Sequence, residues 1–564
     1  MNDAAPRDIT GEQQSSPHVA RTRFGLTLLS GVMLGVSFPP SPSGVFACFG
    51  LVPLLVVLAD MHTVRSALRH IYVAMLLFHV ITLNWTGGYV HMHDPYMMIA
   101  GAITMIVHPL FYWLPGSAYM LVRKYLGDRP ALIALPFLWV GYEYSHSLSE
   151  WSFPWLTLGN SQTYSLATIQ CVSITGVFGL SFWILCVNVL AYLLYSRVAR
   201  HEGRILSWAM VPPLCVLLAV YALPRVYGAA VLSGTSEVAT DERADSIRVG
   251  IIQSNVDPWE KWQSDGRKAV DLYLDLTRDL CREDLSRKPD LVLWPETAIP
   301  DYLLLPSRHA LFERLTEGID SLDVAVLTGT QQAVIYTDSS LAPPSAKRSP
   351  VTGERYDAFN AAVLLEPGSS ATPWYGKMKM VPIAERVPYA DMFYQFDFLR
   401  WGVGIGGWQI GRDTVVFRER ATGARFSTMI CYESTYPGFV AAFVRKGAEF
   451  ITIITIDSWW GRMSGAYQHQ QYAILRAVEN RRWIARCAVG GFSCFIDPYG
   501  HVLDKTDLFT RTVRARTIGR ATAMTFYTEH GDWPGELCLL IAGFFLAATA
   551  GSAFTKRTRL WQQT

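Results

Sequence analysis

Apolar residues gather along the chain into eight runs: Phe24–Phe38, Gly44–Leu58, Ile71–Trp85, Tyr96–Val122, Ala131–Tyr142, Ile169–Tyr195, Ile205–Leu223 and Leu537–Phe554. A full membrane span wants about 20 residues, so the shorter runs need their flanks or a neighbouring helix to complete them. The first run lacks a small-residue cleavage site and reads as an uncleaved anchor. The polar, aperiodic residues 1–20 before it read as a disordered tail. Between the seventh and eighth runs the pattern changes. SIRVGIIQ, DLVLWPE, VAVLTGT, FNAAVLLE, FSTMIC and EFITIITI are short and rich in Val and Ile, as strands are. Lys268–Asp284 and Ala466–Arg482 show the i, i+3, i+4 spacing of amphipathic helices. The expected fold is therefore a multi-pass helical membrane domain carrying an α/β domain with a largely buried sheet, whose strand ends are where sites lie. Its parts are a tail over 1–20, seven helices over 21–227, the α/β domain over 228–532, and a last span with a short tail over 533–564.

Basic residues orient this arrangement. Arg21 and Arg23, Arg65 and Arg69, Arg123, Lys124 and Arg129, Arg197, Arg200 and Arg204, and Lys556, Arg557 and Arg559 fall in alternate connections. The intervening loops around Pro39–Ser43, GGYVHMHD and SEWSFPWLTLGNSQ hold no Lys or Arg. The positive-inside rule then puts both termini in the cytoplasm and the α/β domain on the far side of the bilayer. Composition agrees: 50% hydrophobic and 17% charged residues suit a membrane protein with a polar part attached. A net charge of +2 gives no footprint for nucleic acid. Nine cysteines include no C-x-x-C pair and no His/Cys cluster at zinc spacing, so no metal is expected. A disulfide between Cys487 and Cys494 stays open.

Three segments carry candidate chemistry. DLVLWPE brings Glu296 to a strand end, GKMKMVPIAERVP supplies Lys377 and Lys379, and FSTMICYESTYP ends a strand on Cys431. A cysteine in a strand is ordinarily a small hydrophobe. A nucleophilic cysteine needs a base, because a thiol of pKa about 8.5 is mostly protonated at neutral pH. A carboxylate could take that proton, and an ammonium could stabilise thiolate and oxyanion.

WPET at Trp294–Thr297, Y-x-K-x-x-x-V-P-x-x-E at Tyr375–Glu385 and C-Y-E at Cys431–Glu433 resemble the nitrilase superfamily, with its Glu-Lys-Cys triad and α-β-β-α sandwich. With FPWLTLGNSQ (Phe153–Gln162) and GAYQHQQYAILRAVENRR (Gly465–Arg482), the chain resembles the apolipoprotein N-acyltransferase family of bacterial inner-membrane enzymes. The resemblance implies Glu296 as general base, Lys377 as catalytic lysine and Cys431 as nucleophile. Lys379 falls where a basic residue without a catalytic role is common. Glu385 and Glu433 match carboxylates that orient the site; Tyr432, Trp262 and Trp155 match positions expected near substrate. It further implies a phospholipid acyl donor, a diacylated apolipoprotein acceptor, ping-pong transfer through a thioester, a monomer in the bilayer and no cofactor. The alternative is a membrane-anchored amidase of the same superfamily; a degenerate binding module is disfavoured by the intact triad. Pro382–Glu385 reads Pro-Ile-Ala-Glu, Ile456 precedes Asp457, and Val489-Gly490-Gly491 replaces the usual N-T-G, departures that bear on donor or acceptor preference. His469 reads as a satisfied structural histidine rather than a partner of Cys431, and His79 and His108 as bonded between helices. Glu143, costly in lipid unless paired, is expected near the domain interface.

Overall fold

The computed structural model describes residues 17–88, 95–200, 210–234, 245–263, 266–283, 287–350, 352–393 and 407–563. Among them, helical segments answer to all eight apolar runs. These are Pro17–Gly35; Val52–Ala59 with a short turn before it; Val64–Leu83; Pro95–Val107 leading through His108–Tyr112 into Trp113–Leu126; and Asp128–Ser147. Val172–Arg200, Val211–Ser233 and Trp533–Gln563 complete the set. Among the described residues, five stretches are long and apolar enough to cross a membrane: Val64–Leu83, Met97–Leu126, Val172–Ala199, Val211–Ser233 and Trp533–Arg559. The others lean on neighbours. A Cβ on Gly31 would lie 2.5 Å from the Ala74 carbonyl oxygen, so the first helix approaches Val64–Leu83 as closely as a glycine allows.

The helices overrun their apolar cores, since each added residue gains a backbone hydrogen bond. Val211–Ser233 runs past the expected boundary at 227, and residues 205–209 of that run lie outside the described residues. Of the expected tail, residues 17–20 are helical and 1–16 lie outside the described residues. Several polar groups inside the bundle are bonded, as hydrocarbon surroundings favour. His79 Nε2 lies 2.8 Å from His108 Nδ1, and His108 Nε2 3.0 Å from His146 Nε2. Glu143 accepts from Trp139 Nε1 at 3.1 Å and from the Leu158 N–H at 2.9 Å. Basic residues collect at one end of the bundle: Arg23 pairs with Asp60 at 3.3 Å, Arg123 with Asp128 at 2.6 Å, and Lys556 Nζ reaches the Tyr125 carbonyl at 3.4 Å. At the other end Pro39, Thr82, Ser152 and Trp155 bond to the second domain.

That domain contains strands β1 (Ser246–Gln253), β2 (Leu291–Leu293), β3 (Ile299–Tyr302), β4 (Ala325–Tyr336), β5 (Lys347–Arg348), β6 (Arg355–Leu365) and β7 (Trp374–Gly376). It continues with β8 (Phe417–Arg418), β9 (Arg425–Ile430), β10 (Phe450–Thr455), β11 (Ile484–Ala488), β12 (Cys494–Ile496), β13 (Val502–Leu503) and β14 (Thr512–Gly519). One sheet runs β14-β1-β2-β4-β6-β5, with β3 on β4 and β7 on β6; the other runs β13-β12-β11-β10-β9-β8. Period-two alternation stacks them. Leu291 and Leu293, Ala325 and Leu327, and Ala362 and Leu364 share a core with β9, β10 and β11. The residues between them, Val292, Val326 and Val363, pack under helices Gly266–Glu283 and His309–Leu322. Helices Pro437–Arg445 and Ser464–Asn480 cover the second sheet, so β10 and β11 are buried on both faces. The result is the expected α-β-β-α sandwich, with one outer helix layer turned toward the membrane helices.

Cys487 and Cys494 are both free thiols. In the β11–β12 register Cys494 stands opposite Arg486, while Cys487 Sγ points to the first sheet, 3.2 Å from the carbonyls of Ile252 and Leu293.

Candidate active site

Glu296 follows β2 by three residues, and its backbone crosses directly over β4. A Cβ on Gly329 would lie 2.4 Å from the Thr297 nitrogen and 2.5 Å from the Pro295 oxygen, so only glycine fits beneath the turn. Thr297 holds a left-handed φ of 43° there, a conformation a β-branched residue adopts only under constraint. Part of that constraint is Lys261, 3% exposed, whose Nζ donates to the Glu296 carbonyl at 2.9 Å and to Thr297 Oγ1 at 2.6 Å. Burial pulls this lysine down to about 7, opposed by the charge of Glu296.

Lys377 follows β7 and is fully buried; its N–H donates to the Asn360 carbonyl at 2.8 Å. Its Nζ lies 2.6 Å from Glu385 Oε1 and 3.4 Å from Glu296 Oε1. Asn360 Nδ2 donates to the same Glu296 oxygen at 2.7 Å. Burial alone would lower the Lys377 ammonium, but Glu385, Glu296 and Cys431 outweigh it and hold it well above the ordinary lysine value. Burial raises Glu385, with Lys377 opposing. Its second oxygen accepts the Val381 N–H at 2.8 Å.

Cys431 is the first residue past β9 and holds a left-handed φ of 54°, turning the chain sharply into the short helical turn Cys431–Thr435. The thiol is buried, which pushes its pKa far up; Glu296 and Glu385 add to this and Lys377 opposes it. Burial thus disfavours the thiolate, and the neighbouring carboxylates are the groups placed to take the thiol proton. Glu433 touches none of the reacting groups. One of its oxygens accepts from Tyr375 OH at 2.6 Å and from the N–H groups of Met378 at 2.6 Å and Lys379 at 3.2 Å, and the other accepts from the Ile430 N–H at 2.8 Å. It thereby ties the Lys377 segment to the Cys431 strand; burial pushes it up to about 7 against those hydrogen bonds.

The three expected substrate-side aromatics separate. Tyr432 is buried in the seam between the domains, its OH donating to the Ser152 carbonyl at 3.0 Å and its ring stacked 6.3 Å from Trp155. Trp155 is equally buried, with Nε1 donating to Gln468 Oε1 at 2.7 Å. Trp262 lies apart from them, beside Lys261 and 36% exposed. His469 Nδ1 sits 2.9 Å from Asp457 Oδ1, and its Nε2 2.9 Å from Ser434 Oγ and 3.1 Å from the Cys431 carbonyl. It is a bonded support beneath the Cys431 backbone, and no bond to the sulfur is seen. Lys261 and Asn360 escaped the sequence reading. Asn360 sits in the strand RYDAFNAAVLL with no motif around it, and only Lys261's place beside Trp262 hinted at the site.

Fold and residue set define a carbon–nitrogen hydrolase domain mounted on apolar helices. Residues 248–526 match the family model for carbon–nitrogen hydrolases, and residues 30–190 match the apolipoprotein N-acyltransferase N-terminal domain. An apolipoprotein N-acyltransferase of Chlorobaculum tepidum is 35% identical, aligning over 93% of this chain and 96% of the relative. One from Geobacter metallireducens is 30% identical over 96% of this chain and 97% of the relative. A nitrilase-superfamily amidase from Nesterenkonia AN1 superposes with a TM-score of 0.36 at 16% identity, over 51% of this chain and 95% of the amidase. The chain belongs to the apolipoprotein N-acyltransferase family, and it is a membrane acyltransferase.

Proposed function

We propose that the protein N-acylates the diacylglyceryl-cysteine at the N-terminus of apolipoproteins, taking the acyl chain from a membrane phospholipid. Cys431 Sγ attacks the acyl ester carbonyl while Glu296 accepts the thiol proton. The oxyanion forms beside the Lys377 ammonium, collapse expels the lysophospholipid alkoxide, and Glu296 returns the proton to it. The acceptor's α-amine then attacks the thioester, its proton passes through Glu296 to the leaving sulfur, and an amide remains. Glu385 positions Lys377, and Glu433 holds the two catalytic segments together. The observation that carries this reading is Lys377 Nζ between Glu296 and Glu385 beside a buried cysteine at a strained strand end. The stacking of Tyr432 on Trp155 supports lipid entry from the bilayer, because it joins the nucleophile's turn to the membrane helices. The domain's seat at the end of the bundle away from the basic residues supports an extracytoplasmic site with both termini in the cytoplasm.

The test is intact mass after incubation with phospholipid and no acceptor. A hydroxylamine-labile acyl adduct on Cys431, discharged by a diacylated lipopeptide to give an N-acylated product, is expected. Steady release of free fatty acid without acceptor would instead make the protein a hydrolase.

A further inference from the structure

A cleft of about 500 Å³ opens where the two domains meet, beside the triad rather than within it. Its walls include Tyr144 and Ser147 from the end of helix Asp128–Ser147, Tyr436 and Phe439 from the chain just past the nucleophile, Glu536 from the last helix, and Lys379. Leu148 at its edge is 62% exposed, with Trp151 nearby at 45%, as suits the level of a membrane–water interface. Two cations line the cleft: Arg445 donates to the Thr528 carbonyl at 2.8 Å, and Lys379 is left unused by the triad. Its Nζ lies 4.9 Å from the Tyr436 ring centre and 5.9 Å from that of Phe439, and no ion pair or hydrogen bond to it is found among the described residues. Burial pulls the ammonium down from the ordinary lysine value, with Glu433 and Glu150 opposing. Of the three acids in the cleft, Asp532 accepts from Tyr527 OH at 2.5 Å and Glu536 from Tyr144 OH at 3.3 Å, while Glu529 is exposed to solvent. A half-desolvated cation resting on aromatic faces gains most from a phosphate oxygen.

We propose that this cleft is the head-group subsite of the acyl donor, with Lys379 binding the phosphodiester of a glycerophospholipid. The inference rests on the acyl-transfer reading above. Lys379 rests on Tyr436, which shares the Ser152 carbonyl with Tyr432, the neighbour of Cys431, so the glycerol esters of a head group held there extend toward the thiol. The acceptor, a diacylglyceryl thioether, has no phosphate, so the subsite selects the donor alone.

The test compares Lys379→Gln and Lys379→Arg with wild type in thioester formation on Cys431, using a phospholipid and a diacylglycerol of the same acyl chains. The glutamine variant is expected to raise the phospholipid KM about ten- to a hundred-fold, with kcat nearly unchanged, since a hydrogen bond to a charged group is lost. Arginine should restore KM. On diacylglycerol, which lacks the phosphate, all three proteins should perform alike. An equal loss on both donors, a fall in kcat at unchanged KM, or no change at all would overturn the subsite. Failure of wild type to form thioester with either donor would overturn the acyl-transfer reading itself.

Discussion

Replacing Lys261 with methionine separates what this lysine does for stability from what it does for catalysis. Holding a lysine at about 7 rather than 10.5 costs on the order of 5 kcal/mol when it is charged. Its bonds to the Glu296 carbonyl and Thr297 Oγ1 return roughly 1.5–3 kcal/mol each. Below pH 7 cost and return nearly cancel, so Lys261→Met should unfold within a few degrees of wild type. Between pH 7 and 10.5 the unfolded chain keeps the proton that the folded chain has released, so wild-type stability rises with pH across that window. The variant has no such group and lacks that rise; by pH 10 it should be the less stable protein by a few kcal/mol. Activity should fall at every pH, because the Glu296 turn loses its anchor and a displacement near 1 Å costs about a hundredfold. Denaturant unfolding in detergent at pH 6 and pH 9.5, with single-turnover thioester formation alongside, reads both effects. An equal loss of stability at the two pH values would refute the argument, since it would mean that Lys261 carries no burial cost. So would full activity in a variant whose fold is intact.

Cys431→Ser should abolish turnover, while Cys281→Ser, Cys487→Ser and Cys494→Ser keep most of it; acyl adduct by mass and product by gel shift report both. Gly329→Ala should cut activity at least tenfold and lower the unfolding midpoint, because its Cβ would meet the backbone of Pro295 and Thr297 at about 2.5 Å. A reporter fused after Thr564 should be active only in the cytoplasm and one inserted near Ser340 only outside it; the reverse pattern would invert the topology.

What the sequence reveals of the site is what sits in its own strand. Glu296 lies three residues past the apolar strand β2 and Cys431 directly follows β9, so both sit beside segments that read as strands. Asn360 and Lys261 reach Glu296 only after β1, β2 and β6 have closed into one sheet, and no local pattern encodes that approach. Strand β14 was missed for the same reason: its partner β1 lies on the far side of the whole domain in sequence. Strands of two or three residues, such as β5, β7 and β8, are too short to show any period.

Helix Ser464–Asn480 shows most plainly where pattern reading stops. Its spacing is that of an amphipathic helix, which would turn its polar face to water. Yet Gln468, His469, Gln470, Arg476, Glu479 and Asn480 are all buried. Gln468 and Glu479 bond the membrane helices, while His469, Arg476 and Asn480 bond Asp457, Thr435 and Thr528 within the domain. Gln468 Nε2 donates to the carbonyls of Pro39 and Thr82, while its Oε1 accepts from Trp85 and Trp155. One residue along, His469 bonds the Cys431 carbonyl. A polar face that looks solvated is thus part of the joint between the membrane helices and the turn that carries Cys431. Gln468→Leu would strand the Pro39 carbonyl and the Trp155 indole N–H at that joint, while the Trp85 indole keeps the Thr82 carbonyl at 3.0 Å, at about 1–3 kcal/mol for each group left without a partner. Because those groups lie next to the backbone that carries the sulfur, the loss should appear in thioester formation as well as in stability. Lost stability with an unchanged acylation rate would show that the joint holds the domains together without positioning Cys431.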